Sequence, residues 1–136
     1  MLEEVAGRAE PGLNWFGGFK TEQGRINLKK AGLFPIVSAA RALAIRHHVR
    51  ERATPARLAG LKALAVGSEG DLDALIEAQE VFLDLILAQQ IADIADGKPP
   101  SNAVAVKGLS PQERERLKAA LRAVESLDEL TRDLLF

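Results

Sequence analysis

The sequence predicts an all-α fold, a bundle of four main helices with short N-terminal helical turns before them. Alanine and leucine dominate a chain with no tyrosine and only 4% aromatic residues, a composition that suits helices better than sheets. Apolar residues recur at three- and four-residue steps through the second half of the chain. With 136 residues, the chain is long enough to bury a single hydrophobic core.

Residues 71–96 form the longest periodic stretch, and we expect this stretch to be the central helix of the bundle. Between residues 81 and 87 its apolar character extends almost all the way round, interrupted only by Asp84. A helix that is apolar on every side has to be surrounded by other elements. Gly97 and the two prolines that follow it end the helix.

Caps and prolines predict the other helices. Asn27 caps a short turn that Gly32 ends, and Pro35 then begins a helix that runs to about residue 49. Thr54-Pro55 begins a second helix, which ends at Gly67. After a loop at 97–108, the capping box from Ser110 to Glu113 begins a last helix that continues to the C-terminus.

Residues 1–20 are predicted to be distinct from a helical domain at 21–136. They contain the apolar cluster LNWFGGF, in which aromatic residues flank a glycine pair. Two interpretations are open. The cluster either folds back onto the helical body or forms the junction to a preceding domain that is absent from this chain.

Composition excludes several classes of function. A net charge of -1 gives no bulk attraction to nucleic acid or to an anionic membrane. No apolar run reaches the roughly 18 residues of a membrane span, and no secretory leader is recognisable. The absence of cysteine rules out disulfides and thiolate metal sites and fits a cytoplasmic protein. The two adjacent histidines point in different directions on a helix, so we expect no metal site.

The segment from Ser68 to Asp73 superficially resembles a nucleotidyltransferase signature, in which a Gly-Ser turn holds phosphates and an Asp-x-Asp pair binds magnesium. That chemistry needs the turn and the carboxylates on separate elements. Here Asp71 follows Ser68 after two residues, and a helix begins at once. We therefore expect a helix cap, with the acidic side chains favoured by the helix dipole.

A basic cluster accompanies the first main helix, which carries Arg41, Arg46, His47 and His48 and follows Lys29 and Lys30. Arg41 and His48 are seven residues apart, so we expect them on one face of that helix. The histidines can be structural, at a helix C-terminus that favours positive charge. Alternatively, the lysines and arginines contact an anion. A third interpretation is ribonuclease chemistry, with histidine as acid or base and arginine as the phosphate ligand.

Polar residues also interrupt the apolar central helix. Asp84 and three glutamines, Gln79, Gln89 and Gln90, lie on a helix that otherwise reads as buried. They either hydrogen-bond to one another or to a neighbouring arginine, or they line a ligand or domain interface.

An ordered set of motifs resembles a known family. The segments are GRINLKKAGLFPIVSAARALAIRHHV, TPARLAGL, DALIEAQEVFL, the QQ of LILAQQ, GKPPSN and LSPQERERLKAALRAV. Over about residues 16–136, the chain resembles the nucleotidyltransferase substrate-binding domain known as the C-terminal DUF294 region of bacterial signalling proteins.

The resemblance implies a helical, non-catalytic domain that binds or positions a substrate. Such domains are similar to those beside the catalytic domains of kanamycin nucleotidyltransferase and of the PII-protein uridylyltransferase. The implied partner is an N-terminal nucleotidyltransferase domain, often behind CBS or cyclic-nucleotide-binding modules. Magnesium and the nucleoside triphosphate would belong to that catalytic domain. No catalytic residue and no cofactor are expected in this chain, and residues 1–20 would be the junction.

The resemblance also implies candidate site residues. The family-typical residues here are Lys29, Lys30, Gly32, Pro35, Arg41, Arg57, Glu77, Gln90, Asn102 and Leu109-Ser110. From these and the basic cluster we predict substrate contacts by Lys29, Lys30, Arg41, Arg57, His48, Gln90 and Asn102. The chain departs from the family where a basic pair often stands near Ile86 and Gln89, and where Ala105 replaces an aspartate. A different class of function stays open, a helical interaction module that forms a homodimer through the N-terminal apolar cluster.

Overall fold

Helices account for most of the chain, which confirms the predicted all-α class. The computed structural model describes residues 12–14 and 17–135. In chain order the elements are β1 (Arg25–Asn27), a π-helical segment (Lys29–Leu33), α1 (Phe34–Arg46), α2 (Thr54–Ala63), α3 (Glu69–Ala95), β2 (Ala103–Ala105), a 3-10 turn (Val106–Gly108), α4 (Pro111–Glu125) and α5 (Leu127–Leu135). The small antiparallel sheet of β1 and β2 was not predicted, because β2 lies in the segment read as a loop.

Local capping chemistry fixes the helix ends where the sequence predicted it. Ser68 Oγ accepts a hydrogen bond from Asp71 N at 3.0 Å at the start of α3. Ser110 and Glu113 form both bonds of the predicted capping box at the start of α4. Gly97, with φ of 71°, adopts the left-handed conformation just beyond the end of α3.

The core lies between α3 and the other helices. α3 packs along α4 and α2, while α1 packs against α2, α5 and the π-helical segment. Eight of the 13 residues of α1 are buried, which leaves it one exposed face. The largest fully buried side chains are Phe82, Leu28, Ile36, Leu43, Leu58, Leu61, Leu72, Leu117, Leu121 and Leu127.

The prediction that residues 81–87 are surrounded on all sides is wrong. Leu83 is 48% exposed and Leu87 is 58% exposed. The reason is helix length: α2 has ten residues and packs antiparallel to the 27-residue α3 only as far as the region of Pro55 and Leu83. Beyond that point this side of α3 is uncovered by any described element.

Three further predictions are corrected by the structure. Gly32 does not end a turn, since the π-helical segment continues directly into α1. α2 ends at Ala63, before Gly67. The predicted last helix is interrupted at Ser126, which caps α4 and whose Oγ donates to the Ala123 carbonyl at 2.8 Å.

The described part of the N-terminal segment packs on the helical body. Leu13 is buried in the core and forms a β-bridge with Phe19. Phe19 packs against the same core, and the Lys118 ammonium lies 5.5 Å from the centre of its ring. Trp15, Phe16 and residues 1–11 lie outside the described residues, so the junction prediction for 1–20 stays a prediction.

Candidate functional site

The small sheet brings the first and second halves of the chain together. Arg25 pairs with Ala105 and Asn27 with Ala103 in the antiparallel register. Just beyond the ladder, Leu28 N donates to the Asn102 carbonyl at 3.0 Å. Asn27 Oδ1 accepts from Lys30 N at 3.1 Å, as the sequence predicted for an N-cap. The sheet thus sets Lys29 and Lys30 beside the loop that carries Asn102.

A buried carboxylate anchors this sheet to α3. The Asp93 side chain is 3% exposed and accepts from Gln89 Nε2 at 2.8 Å and from Ser101 N at 3.1 Å. Arg25 Nη1 lies 3.5 Å from Asp93 Oδ1 and also donates to the Ala103 carbonyl. The Gln89 hydrogen bond, the Arg25 charge and the Ser101 N–H together lower the pKa of Asp93 despite its burial.

Gln89 links the buried carboxylate to the second strand. Its Nε2 donates to Asp93, and its Oε1 accepts from Ala105 N at 2.9 Å. Gln89 and Ala105 are therefore direct neighbours, joined by an amide oxygen and a backbone N–H.

Two of the predicted site residues, Gln90 and Asn102, are in contact. Gln90 Nε2 donates to Asn102 Oδ1 at 3.4 Å, and both side chains are half-buried. Lys29 and Lys30 are exposed on the segment that Asn102 binds through Leu28. Amide and ammonium groups in this arrangement can donate hydrogen bonds to an anionic or carbonyl-bearing ligand.

A cavity of about 310 Å³ opens beside β1 and the residues that precede it. Lys20, Arg25 and Asn27 contribute polar groups to its wall, and Ile26 and Ala31 contribute apolar surface. Glu22 is the one acidic residue of this lining. Arg25 therefore belongs both to the anchor of the sheet and to the cavity wall.

The other predicted site residues lie elsewhere. Arg41 is on the exposed face of α1. Arg57 Nε donates to the Glu51 carbonyl at 2.8 Å, in the loop that connects α1 and α2. α1 ends at Arg46, and His48 follows with φ of 61°, so the helical spacing expected to align Arg41 with His48 does not hold. His47 has a structural contact, since its Nε2 lies 3.0 Å from the Leu134 carbonyl oxygen.

The Asp-x-Asp segment does not fit a magnesium site. Asp73 binds Lys62 Nζ at 2.8 Å, and this contact, with that of Glu69, raises the pKa of Lys62. Asp71 lies in the first turn of α3, capped by Ser68. Within residues 12–14 and 17–135, no group of three or more His, Asp or Glu side chains is placed to hold a metal ion. No helix of this described part is long and apolar enough to cross a bilayer.

Sequence reasoning missed Arg25, Asp93 and Ser101. One signal was available: Asp93 follows Phe82 and Ile86 at helical spacing and therefore falls on the buried face of α3. An acidic residue in that register needs a partner inside the fold. The identity of that partner could not be predicted, because Arg25 is distant from Asp93 in sequence.

The fold and this polar cluster define an all-α domain with a group of hydrogen-bonded polar side chains where a long helix meets a small sheet. The chain belongs to the DUF294_C family, described as "Putative nucleotidyltransferase substrate binding domain", whose model matches residues 1–134. The resemblance seen in the sequence is thereby confirmed. Searches of curated proteins and of solved structures gave no significant match.

Proposed function

We propose that this chain binds or positions the substrate of a nucleotidyltransferase whose catalytic domain is a separate unit. The observation that supports this proposal most directly is the family match over residues 1–134. In this proposal the catalytic domain binds magnesium and the nucleoside triphosphate, and the helical domain recognises the acceptor substrate. In its more specific form, the proposal is that this chain acts like the helical domain of PII-protein uridylyltransferase. It would then serve bacterial signal transduction in the cytoplasm, with CBS or cyclic-nucleotide-binding modules as neighbouring domains.

The proposed contact surface consists of the Gln90–Asn102 pair and Lys29, with the cavity beside β1 as a second candidate region. Their charges and donors suit a phosphate, a carboxylate or a backbone carbonyl of the acceptor. The buried Asp93 anchor holds the sheet in place, so these groups keep their spacing before ligand arrives. Lys30 extends the same surface, whereas Arg41, Arg57 and His48 lie on other parts of the molecule.

The experiment begins with the coding sequence upstream of Met1. A Gly-Ser turn followed about ten residues later by Asp-x-Asp, in the same reading frame or the adjacent gene, identifies the cognate catalytic domain. Nucleotide transfer is then measured with that domain alone, with this chain alone and with both together. Transfer that needs both supports the proposal, and a catalytic domain that works equally well without this chain contradicts it.

Matched variants locate the contact surface. Asn102→Ala and Lys29→Ala should each raise the KM for the acceptor by about tenfold, the effect of losing roughly 1.4 kcal/mol of binding. Lys107→Ala removes an exposed lysine from the 3-10 turn and should leave KM unchanged. Equal effects of Lys29→Ala and Lys107→Ala would indicate general electrostatics instead of a defined site.

The second candidate is a homodimerisation module that uses the N-terminal apolar cluster. Leu13 and Phe19 of that cluster already pack on the core of their own chain, which favours the first candidate. Light scattering on the chain with and without residues 1–20 tests the second. If both proteins have the mass of a monomer, the homodimerisation candidate is excluded.

A further inference from the structure

An uncovered apolar stripe runs along the second half of α3. Leu83, Leu87, Ile91 and Ile94 are 48%, 58%, 61% and 62% exposed. Steps of four, four and three residues place them on one helix face over about 17 Å. Single exposed leucines need no explanation, but a contiguous stripe of this kind marks an interaction site.

All the charged residues of α3, the helix that carries the stripe, are acidic. α3 contains no lysine or arginine from Glu69 to Ala95. Glu80 and Asp84 are exposed beside Leu83, and neither has an ion-pair partner among the described residues. A partner for this face therefore needs an apolar surface with a positive charge.

α1 of the same protein presents that pattern. Its exposed face carries Phe34, Val37 and Ile45, which are 58%, 38% and 63% exposed, with Arg41 between them. Residues 23–50 contain no aspartate or glutamate. Arg41 has no ion pair with any described residue, so its guanidinium is available to a second molecule.

The α1 face and the α3 stripe belong to the same chain and have complementary charge. A twofold arrangement that sets α1 of each copy on α3 of the other would use both surfaces twice, as in the self-complementary interface of a symmetric dimer.

A cleft at the end of the stripe offers a place for the arginine. Pro55, Ile76 and Gln79 line it together with Leu83 and the two carboxylates, and its volume is about 300 Å³. Gln79 is only 8% exposed, yet its Oε1 accepts no hydrogen bond from any described residue. Buried amides normally find a partner. A guanidinium at this cleft would supply a counter-charge to Glu80 and Asp84, and the Gln79 amide could accept from it by turning toward the cleft.

We propose that the chain forms a homodimer in which the α1 face of each copy packs on the α3 stripe of the other and Arg41 enters the Gln79 cleft. Symmetry doubles the contact, so four helix faces contribute. One helix pair alone would fall short of the roughly 1,200–2,000 Å² that stable interfaces bury. The proposal does not rest on the proposed function, and it has its own measurement: the dimer is tested by association and the substrate contacts by KM. Gln90 borders the stripe on α3, so none of the variants below alters that residue.

Sedimentation velocity over a concentration series tests the dimer. The unaltered chain should show a reversible monomer–dimer equilibrium. Arg41→Glu and Asp84→Arg should each weaken it on the order of 100-fold, because each sets like charges opposite one another at two symmetric sites. The double variant Arg41→Glu with Asp84→Arg should recover most of the association. Arg122→Glu, a charge reversal at an exposed position of α4, is the matched control and should dimerise normally.

A cross-link gives a second measurement that does not depend on charge reversal. The chain has no cysteine, so Val37→Cys and Leu87→Cys can be introduced singly, mixed and oxidised. A mixed disulfide dimer that forms faster than with Val37→Cys and Arg122→Cys supports the proposal. A chain that stays monomeric at every concentration, a double variant no better than the single ones, or a cross-link no faster than the control would each overturn it.

Discussion

Gly32 lies directly against the ring of Phe82, and this contact joins the π-helical segment before α1 to the middle of α3. A Cβ on Gly32 would lie 2.6 Å from Cδ2 and Cζ of the ring. Phe82 is fully buried, so the ring has little room to move aside. The glycine is needed for close approach and not for an unusual φ, which is why a sequence interpretation as a helix end was mistaken.

Gly32→Ala should therefore lower the free energy of unfolding by about 1–3 kcal/mol, the usual cost of overpacking a core. Urea denaturation measures this change in the free energy of unfolding. Gly70→Ala is the matched control, because a Cβ there meets no atom within 4 Å and the residue lies in α3. That variant should be neutral or gain up to about 1 kcal/mol from helix propensity. Equal stability of the two variants would contradict the close contact.

Asp93→Asn should destabilise the protein at neutral pH and much less in acid. The pKa of Asp93 is lowered in the folded protein, so its charge stabilises the fold fully above the unfolded pKa of about 3.9. That contribution is lost as the pH falls through the folded value. The amide also brings a donor where Gln89 and Ser101 already donate.

Urea denaturation of both proteins between about pH 7 and pH 3 checks the sign of this effect. The stability difference should shrink toward the acid end of the series. Asp84→Asn serves as the control, since this exposed carboxylate has no ion pair with any described residue and no hydrogen bond to one. A stability difference that does not change with pH would show that the charge of Asp93 is not what anchors the sheet.

Helix starts were predictable from sequence because capping is local chemistry. Ser110 finds its partner Glu113 three residues away, and Ser68 bonds to the N–H of Asp71 in the same turn. The antiparallel pairing of β1 with β2 was not predictable in this way. Three residues on each strand give too short a pattern, and the pairing depends on tertiary contacts such as Leu28 with Asn102.

The candidate site was predictable only in part. The resemblance selected Gln90 and Asn102, which the structure shows in contact. It also selected Arg41, Arg57 and His48, which the structure does not bring to that pair. Helical spacing failed for His48 because α1 ends two residues before it. The partner of Asp93 could not be predicted, because Arg25 lies on another element and is distant in sequence.

Leu85 and Leu87 test the correction to the central helix. Leu85 is 7% exposed and Leu87 is 58% exposed, although the sequence reading treated both as buried. Leu85→Ala should cost about 2–5 kcal/mol of unfolding free energy, whereas Leu87→Ala should change it by less than about 0.5 kcal/mol. Urea denaturation at low protein concentration measures the isolated chain and avoids any contribution from dimerisation. A large loss from Leu87→Ala under those conditions would restore the prediction of a fully surrounded helix.

The capping box of α4 should be worth about 1 kcal/mol, since its loss leaves backbone N–H groups without partners. Ser110→Ala and Glu113→Ala should each destabilise the protein, and the double variant should cost less than their sum because the two bonds belong to one reciprocal motif.

Arg114, in the same helical turn, donates to the carbonyls of Leu109 and Val106, so a frayed turn should also loosen the segment after β2. Hydrogen exchange at Val106 N, which donates to the Gly24 carbonyl, reads out that loosening. Ser126→Ala is the control, because Ser126 bonds at the exposed C-terminal end of α4 and should leave this exchange rate unchanged. Faster exchange in the control, or additive losses in the double variant, would show that the box does not act as a unit.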